Sequence, residues 1–351
     1  MKKIRAASYL IYDETTKTYR RDPEQAVRDD VEKHYWRNVG RTMLRDWRLY
    51  AMLVPMVLVF LLWRYFPMYE LLRCFKVSDE VKPVSDQFFM GFSNFKTLLA
   101  GSGTLTTEFW RALRNTFLLS FYGLCFGFPV PIILALFFNE IKSNVLRSSY
   151  QVLTYLPKFI STVVMTSLVT MLVKQGSLTS GVGIISGFLS SIGLISKETA
   201  QTGLLNHPEY FRAIYQISGI WETAGYDSIV FFAAIIAISP TSYEAAQIDG
   251  AGKMAQMRYV VIPSILSTLV IMLIMRIGSL LQIGYEKVLL LYNTNTYVTA
   301  DVVSTYANRY GMVNGQKGLA SAAEMMNNVM GMLLVVGANT IARKASNVSL
   351  Y

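Results

Sequence analysis

The chain is short of the residues that staple a fold together. It has two cysteines, Cys74 and Cys125, and two histidines, His34 and His207, among 351 residues. Two separated thiols exclude a disulfide framework, and so few thiols and imidazoles exclude a zinc cluster. Each histidine reads as a loop or surface residue. Charge is scarce too: 16% of residues are charged and 52% are hydrophobic. With a mean hydropathy of +0.34, the chain is too apolar for an ordinary soluble domain. It contains no G-x-x-x-x-G-K-[ST] phosphate loop, so ATP hydrolysis is expected on another chain. Gly181-Val182-Gly183 has neither the third glycine nor the βαβ setting of a dinucleotide site. No nucleophile, base and acid come together in a recognisable set, so the chain is not expected to be an enzyme. No cleavable signal opens it, and Met1 is read as the mature start.

What the chain does have is apolar length. Six stretches approach the ~20 residues that cross a bilayer as a helix. They lie near 49–67, 113–138, 149–173, 211–238, 264–290 and 320–342. The predicted class is all-α, a polytopic membrane protein with six transmembrane helices. An even number returns both termini to the same side. Lys142 and Arg147, Lys253 and Arg258, and Arg343 and Lys344 then fall on one face, which the positive-inside rule makes cytoplasmic. Residues 1–48 form a polar extension with twelve Lys/Arg and eight Asp/Glu. The part from Asp13 to Glu32 is expected to be flexible or only locally helical. Trp36, Val39, Met43 and Trp47 then recur at helical spacing, beside Arg37, Arg41, Arg45 and Arg48. That pattern fits a juxtamembrane amphipathic helix at the lipid interface, or a solvated basic lead-in. The expected organisation is this extension, a permease domain over 49–343, and a cytoplasmic tail over 344–351.

Pro129, Pro131 and Pro157 fall inside predicted spans and should kink them. Gly176–Gly193 is rich in glycine and serine and reads as a re-entrant or surface loop.

One polar stretch between the fourth and fifth spans organises the rest: Ser239–Pro263. Pro240 suits the first turn of a helix, because its missing N–H would be unpaired there. Thr241 and Glu244 have capping-box spacing. Gly250 and Gly252 let the chain turn before a second helical piece that ends at Pro263. Asp249 can lock the turn by local hydrogen bonding. Two short helices joined at a bend make a compact knob outside the membrane.

The stretch resembles the cytoplasmic loop of the membrane subunits of binding-protein-dependent ABC importers. That loop reads E-A-A, three residues, G, nine residues, I-x-L-P. Here Glu244, Ala245 and Ala246 are followed by Gly250, then by Val260, Ile262 and Pro263. The resemblance continues over residues 45–345. Leu113-Arg114-Asn115-Thr116 resembles the entry to the second span. Tyr155-Leu156-Pro157-Lys158-Phe159-Ile160-Ser161, Gly284-Tyr285-Glu286, Leu291-Tyr292-Asn293 and Thr305-Tyr306 are similar to segments of the polysaccharide-type, LplB-like branch.

The resemblance implies a type I permease fold whose coupling helices dock on a separate ATPase through the 239–263 loop. Glu244, Ala245, Ala246, Asp249, Gly250 and Pro263 are the implied coupling residues. Glu244 serves either as a charged contact to the ATPase or as a cap of its own helix. The implied partners are a second, similar permease, two ATPase subunits that hold ATP and magnesium, and an extracytoplasmic solute-binding protein. Membrane lipid and a carbohydrate substrate complete the set, with no nucleic acid. The implied location is the cytoplasmic membrane of a bacterium.

Polar residues within the spans are the candidate substrate pathway. Arg276 lies thirteen residues after Pro263, about 20 Å along a helix. A charge at that depth needs protein or water around it. Gln282, Tyr285 and Glu286 follow on the same segment, and such side chains suit a sugar. The structural alternative for Arg276 is an interhelical pair with Glu222, in a helix break by Gly225, or with Glu324. Arg276 and the net charge of +10 are compatible with an acidic, uronate-containing oligosaccharide, although topology accounts for much of that charge. Two competing functions stand beside this one. One is import of another solute, such as a peptide or phosphate ester. The other is a secondary transporter or channel, which would need intramembrane ion-coupling carboxylates or an inverted repeat.

Overall fold

Apolar length sets the architecture, and backbone breakers set where each helix bends. The computed structural model describes residues 10–13, 18–21, 35–77, 87–176 and 181–346. The chain forms two units, Met1–Glu70 and Leu71–Tyr351.

In the first unit, β1 (Leu10–Asp13) and β2 (Thr18–Arg21) pair antiparallel, with Leu10 opposite Arg21 and Asp13 opposite Thr18. This hairpin departs from the flexible or helical segment expected there. The rest of the acidic stretch lies outside the described residues. α1 (Tyr35–Arg45) forms where the amphipathic pattern predicts a helix. After a turn at Asp46, α2 starts at Trp47 and runs to Phe75, past both the last residue of this unit, Glu70, and the predicted end at 67. It contains Pro55 and relaxes through a π-turn at Leu61–Tyr65.

The second unit holds the remaining helices. α3 (Ser93–Ala100) precedes α4 (Thr104–Glu140), which is 37 residues long. α4 stays continuous through Pro129 and Pro131 because a π-turn at Gly123–Gly127 absorbs the lost backbone bonds just before them. The third predicted span is not straight. α5 (Asn144–Phe159) and α6 (Thr162–Val173) meet at 100°, after Pro157, and the Ser161 hydroxyl accepts from the Val164 N–H at the new start. The Gly/Ser-rich segment contains a helix, α7 (Ile184–Ser191), followed by α8 (Lys197–Thr202). α9 (Pro208–Ile236) is an unbroken 29-residue helix, so Glu222 does not sit in a helix break.

α10 (Pro240–Ile248) and α11 (Lys253–Ser264) form the knob, and α11 meets α12 (Leu266–Gly278) at 63°. The fifth span therefore ends at Gly278, short of the predicted 290. Three short helices follow: α13 (Tyr285–Leu291), α14 (Tyr297–Ala300) and α15 (Val303–Asn308). α16 (Lys317–Ser346) completes the described chain. Among the described residues, four helices are long and apolar enough to cross a membrane, and up to six spans result if each bent pair counts as one.

Buried side chains collect in layers along the bundle. At the knob end Ala135, Phe231, Ile235, Val261 and Ile265 pack α4, α9 and α11 together. Leu119, Phe211, Val288, Leu291 and Ala300 fill the middle. At the far end Phe109, Tyr306, Leu319 and Ala322 join α4, α15 and α16.

Candidate functional site

The knob is built by backbone geometry. Pro240 opens α10 at its first turn, as predicted, with Ser239 as the capping residue. The expected capping box is not formed: Thr241 lies inside the helix and its hydroxyl pairs with that of Ser239 at 2.7 Å. Glu244 is exposed and makes no hydrogen bond or ion pair within the described residues, so it does not cap its own helix. Ala245 is exposed and Ala246 half-buried beside it. The helix ends in a Schellman turn. The Ala251 N–H donates to the Ala246 carbonyl at 2.9 Å, and the Gly250 N–H to that of Gln247 at 3.0 Å. Gly250 has φ +78°, the left-handed conformation this motif requires. The Asp249 carboxylate forms no hydrogen bond among the described residues, and main-chain bonds lock the bend in its place. Pro263 falls in the last turn of α11, and the bend itself comes at Ile265.

Two residues outside the implied coupling set join the knob to the spans. Tyr243 packs against the layer formed by Phe231, Ile235, Val261 and Ile265. Its hydroxyl is buried and makes no well-formed hydrogen bond among the described residues; burial pushes its pKa up, and the nearby Asn139 side chain opposes that rise. Lys253, at the start of α11, donates to the Glu140 carboxylate at the end of α4.

Deeper in the bundle a cavity of about 480 Å³ lies between α4, the break in the third span, α9 and the segment from Arg276 to Lys287. Arg276 and Gln282 line it. Tyr285 and Glu286 do not: both are exposed, and their neighbours Gly284 and Lys287 take the lining positions. Arg276 pairs with neither Glu222 nor Glu324; its guanidinium lies 3.9 Å from Asp227. Glu222 instead accepts from Lys287 at 2.9 Å, and that pair is the better buried of the two. Three cations, Lys158, Arg276 and Lys287, thus line the cavity beside one carboxylate, Glu222. The sequence reading missed Lys158 and Lys287, because only the 100° break and the turn after Gly278 bring them to the same space. Among the described residues, no three His, Cys, Asp or Glu side chains gather as a metal site requires.

At the end of the bundle away from the knob, Arg309 donates to Asp301 at 2.7 Å and to Glu108 at 3.1 Å. Tyr310 donates to Glu108 at 2.9 Å. Burial opposes the charge on Arg309, yet the two carboxylates hold its pKa above the usual arginine value. Asn115, fully buried, donates to the carbonyls of Val298 and Asp301, both at 3.0 Å. These contacts tie α4 to the short helices before α16.

Residues 127–286 match the family model described as "binding-protein-dependent transport system inner membrane component". Protein LplB of Bacillus subtilis (strain 168) is 33% identical over 88% of this chain and 92% of its own length. The polygalacturonan/rhamnogalacturonan transport system permease protein YteP of the same organism is 33% identical over 86% of this chain and 90% of its own. Two crystal structures of bacterial alginate ABC transporters contain a chain 38% identical to this one. They cover 88% of this chain and 99% of theirs, with TM-scores of 0.76 and 0.75. One is described as importing an acidic polysaccharide, and the other is in complex with an alginate pentasaccharide-bound periplasmic protein.

Proposed function

The chain belongs to the binding-protein-dependent transport system inner membrane components, and from that premise we propose that it is the permease subunit of an ATP-driven importer of acidic oligosaccharides. The single observation that carries the substrate is the cavity, with three cations and one lining carboxylate in the depth of the bundle. Charges there are costly unless they face water or a ligand. A uronate chain supplies the missing negative charge, and its hydroxyls suit Gln216, Ser279 and Gln282 on the same wall. The names of the relatives, which concern alginate and polygalacturonan, support the same class.

The knob is the lever. ATP and magnesium act on two separate ATPase subunits, and Glu244, exposed and without an internal partner, is the charged contact to them. Ala245 and Ala246 keep that face low, and Gly250 and Pro263 set its shape. Tyr243 and the Lys253–Glu140 pair pass the motion to α9, α11 and α4. The spans then rock about the cavity in alternating access. A second, similar permease completes the pore, and an extracytoplasmic binding protein delivers the sugar. In this reading the knob and both termini are cytoplasmic, and the membrane is the inner membrane of a bacterium.

The test is uptake by proteoliposomes holding this chain with its partner permease, ATPase and binding protein. ATP-dependent uptake of a labelled uronate oligosaccharide, exceeding that of a neutral one of equal length, is expected. Preferential uptake of a phosphate ester or peptide would replace the substrate assignment. Transport by this chain alone, without an ATPase, would overturn the importer itself.

A further inference from the structure

The sequence points to Arg276 as the residue that meets an anionic sugar, but the cavity has another distribution of free charge. We propose that Lys158 is the specificity residue that receives the substrate carboxylate, and that Arg276 and Lys287 are already neutralised by the protein. This deepens the acidic-oligosaccharide reading and rests on it.

The three lining cations differ in what surrounds them. Lys287 is held on every side. Its ammonium donates to Glu222 at 2.9 Å, and the two side chains are 13% and 14% exposed. The ammonium also lies 5.4 Å from the centre of the Tyr215 ring. Gly219 lies beside it, with a Cβ there coming to an ordinary contact distance of 3.5 Å from that nitrogen. Removing a partner from a buried ion pair is strongly unfavourable, so a passing ligand does not compete well for Lys287. Arg276 has Asp227 at 3.9 Å. That pair is looser, yet the arginine charge is still locally balanced.

Lys158 is exposed to the cavity and has no hydrogen bond or ion pair within the described residues. It sits on the short 3-10 turn Leu156–Phe159, where the third span breaks, directly after the buried Pro157. Lys158 stands in the last turn before that break and lines the cavity. Its backbone is therefore placed by a rigid feature, while its four-carbon stem leaves the ammonium free to follow a ligand. Lys158 brings a positive charge with no counter-ion into a space already neutral at its other cations. A carboxylate is the ligand that balances it, through a charge-assisted hydrogen bond. The hydroxyls of the same sugar face the amide of Gln282, which has no side-chain partner within the described residues.

The experiment uses the complete assembly in proteoliposomes, with one binding protein and ATPase throughout, so that changes in selectivity belong to this chain. The probes are a uronate trisaccharide and its carboxyl-reduced, neutral counterpart. The readout is the ratio of their uptake kcat/KM values. Lys158→Gln is expected to lower that ratio about tenfold or more, the scale of one hydrogen bond to a charged group, by reducing uptake of the uronate more than uptake of the neutral sugar. Lys158→Arg should keep the wild-type ratio, and Arg276→Gln should leave the ratio unchanged whatever it does to the overall rate. An unchanged ratio in Lys158→Gln, with the wild type still preferring the uronate, overturns this assignment alone. An equal loss of both sugars in Lys158→Gln, but not in Lys158→Arg, overturns it as well and makes the lysine a structural charge. A wild type with no preference overturns the acidic-substrate reading together with this one.

Discussion

Gly225 and Thr154 meet where α9 crosses α5, and they meet backbone to backbone. A Cβ on Gly225 would lie 2.1 Å from the Thr154 carbonyl oxygen and 2.4 Å from its carbonyl carbon. This contact holds the third span against α9 one turn before Lys158, which lines the cavity ahead of the 100° break.

Gly225→Ala should therefore separate two helices that have no flexible atoms to yield. Overpacking of this kind costs ~1–3 kcal/mol or more. A lowered melting temperature in detergent is the expected result, with Gly219→Ala, whose neighbour is the flexible end of Lys287, milder. Equal melting of wild type and Gly225→Ala would show that the crossing is loose.

Gly250 is open on its side-chain face, so only its φ of +78° restricts substitution. A β-branched residue is strained there, while asparagine tolerates the conformation. Gly250→Val should leave the protein in the membrane but separate ATP hydrolysis from uptake, and Gly250→Asn should keep them coupled. Glu244→Lys should uncouple as well, with stability within ~0.5 kcal/mol of wild type because the side chain has no internal partner. Normal uptake with stable ATPase association in Gly250→Val and Glu244→Lys would defeat the lever account.

Tyr243 separates packing from hydrogen bonding. Its hydroxyl is buried and makes no well-formed hydrogen bond among the described residues, so Tyr243→Phe should be close to neutral. Tyr243→Ala removes the ring from the Phe231–Ile235 layer and should weaken coupling. Uptake per ATP hydrolysed distinguishes them. A severe defect in Tyr243→Phe would mean that the hydroxyl finds a partner when the ATPase is bound.

Asp301 is fully buried and holds Arg309 through both of its oxygens, at 3.1 and 2.7 Å. Asp301→Asn leaves a half-buried guanidinium with Glu108 alone. Loss of one partner of a buried pair costs ~3–5 kcal/mol, so a sharp fall in the melting temperature is expected. Asp301→Asn with Arg309→Gln should recover part of that fall. No recovery in the double variant would show that Asp301 acts mainly through Thr305, which donates to it at 2.7 Å.

By itself the sequence determined what local chemistry decides. Apolar length located the helices, Pro240 began the knob, and Gly250 ended its first helix, because a positive φ is a property of one residue and its neighbours. The loop pattern and the residues that resemble the family were legible in the same way. Asn115, Asn293 and Thr305 came to notice through those resemblances; the first two prove to be hydrogen-bond anchors between distant segments, and Thr305 ties the local turn at Asp301 and Val302. Tertiary structure alone decided which charges are spent. Glu222 and Lys287 are 65 positions apart, and Arg276 and Asp227 are far apart as well, so no periodicity pairs them. Nor does apolar patterning reveal that the third span breaks by 100° or that the fifth ends at Gly278. Pro157 foretells a kink in the third span, but its angle and the early end of the fifth depend on how helices pack around a space, and that packing leaves Lys158 on the cavity wall with no ion pair among the described residues.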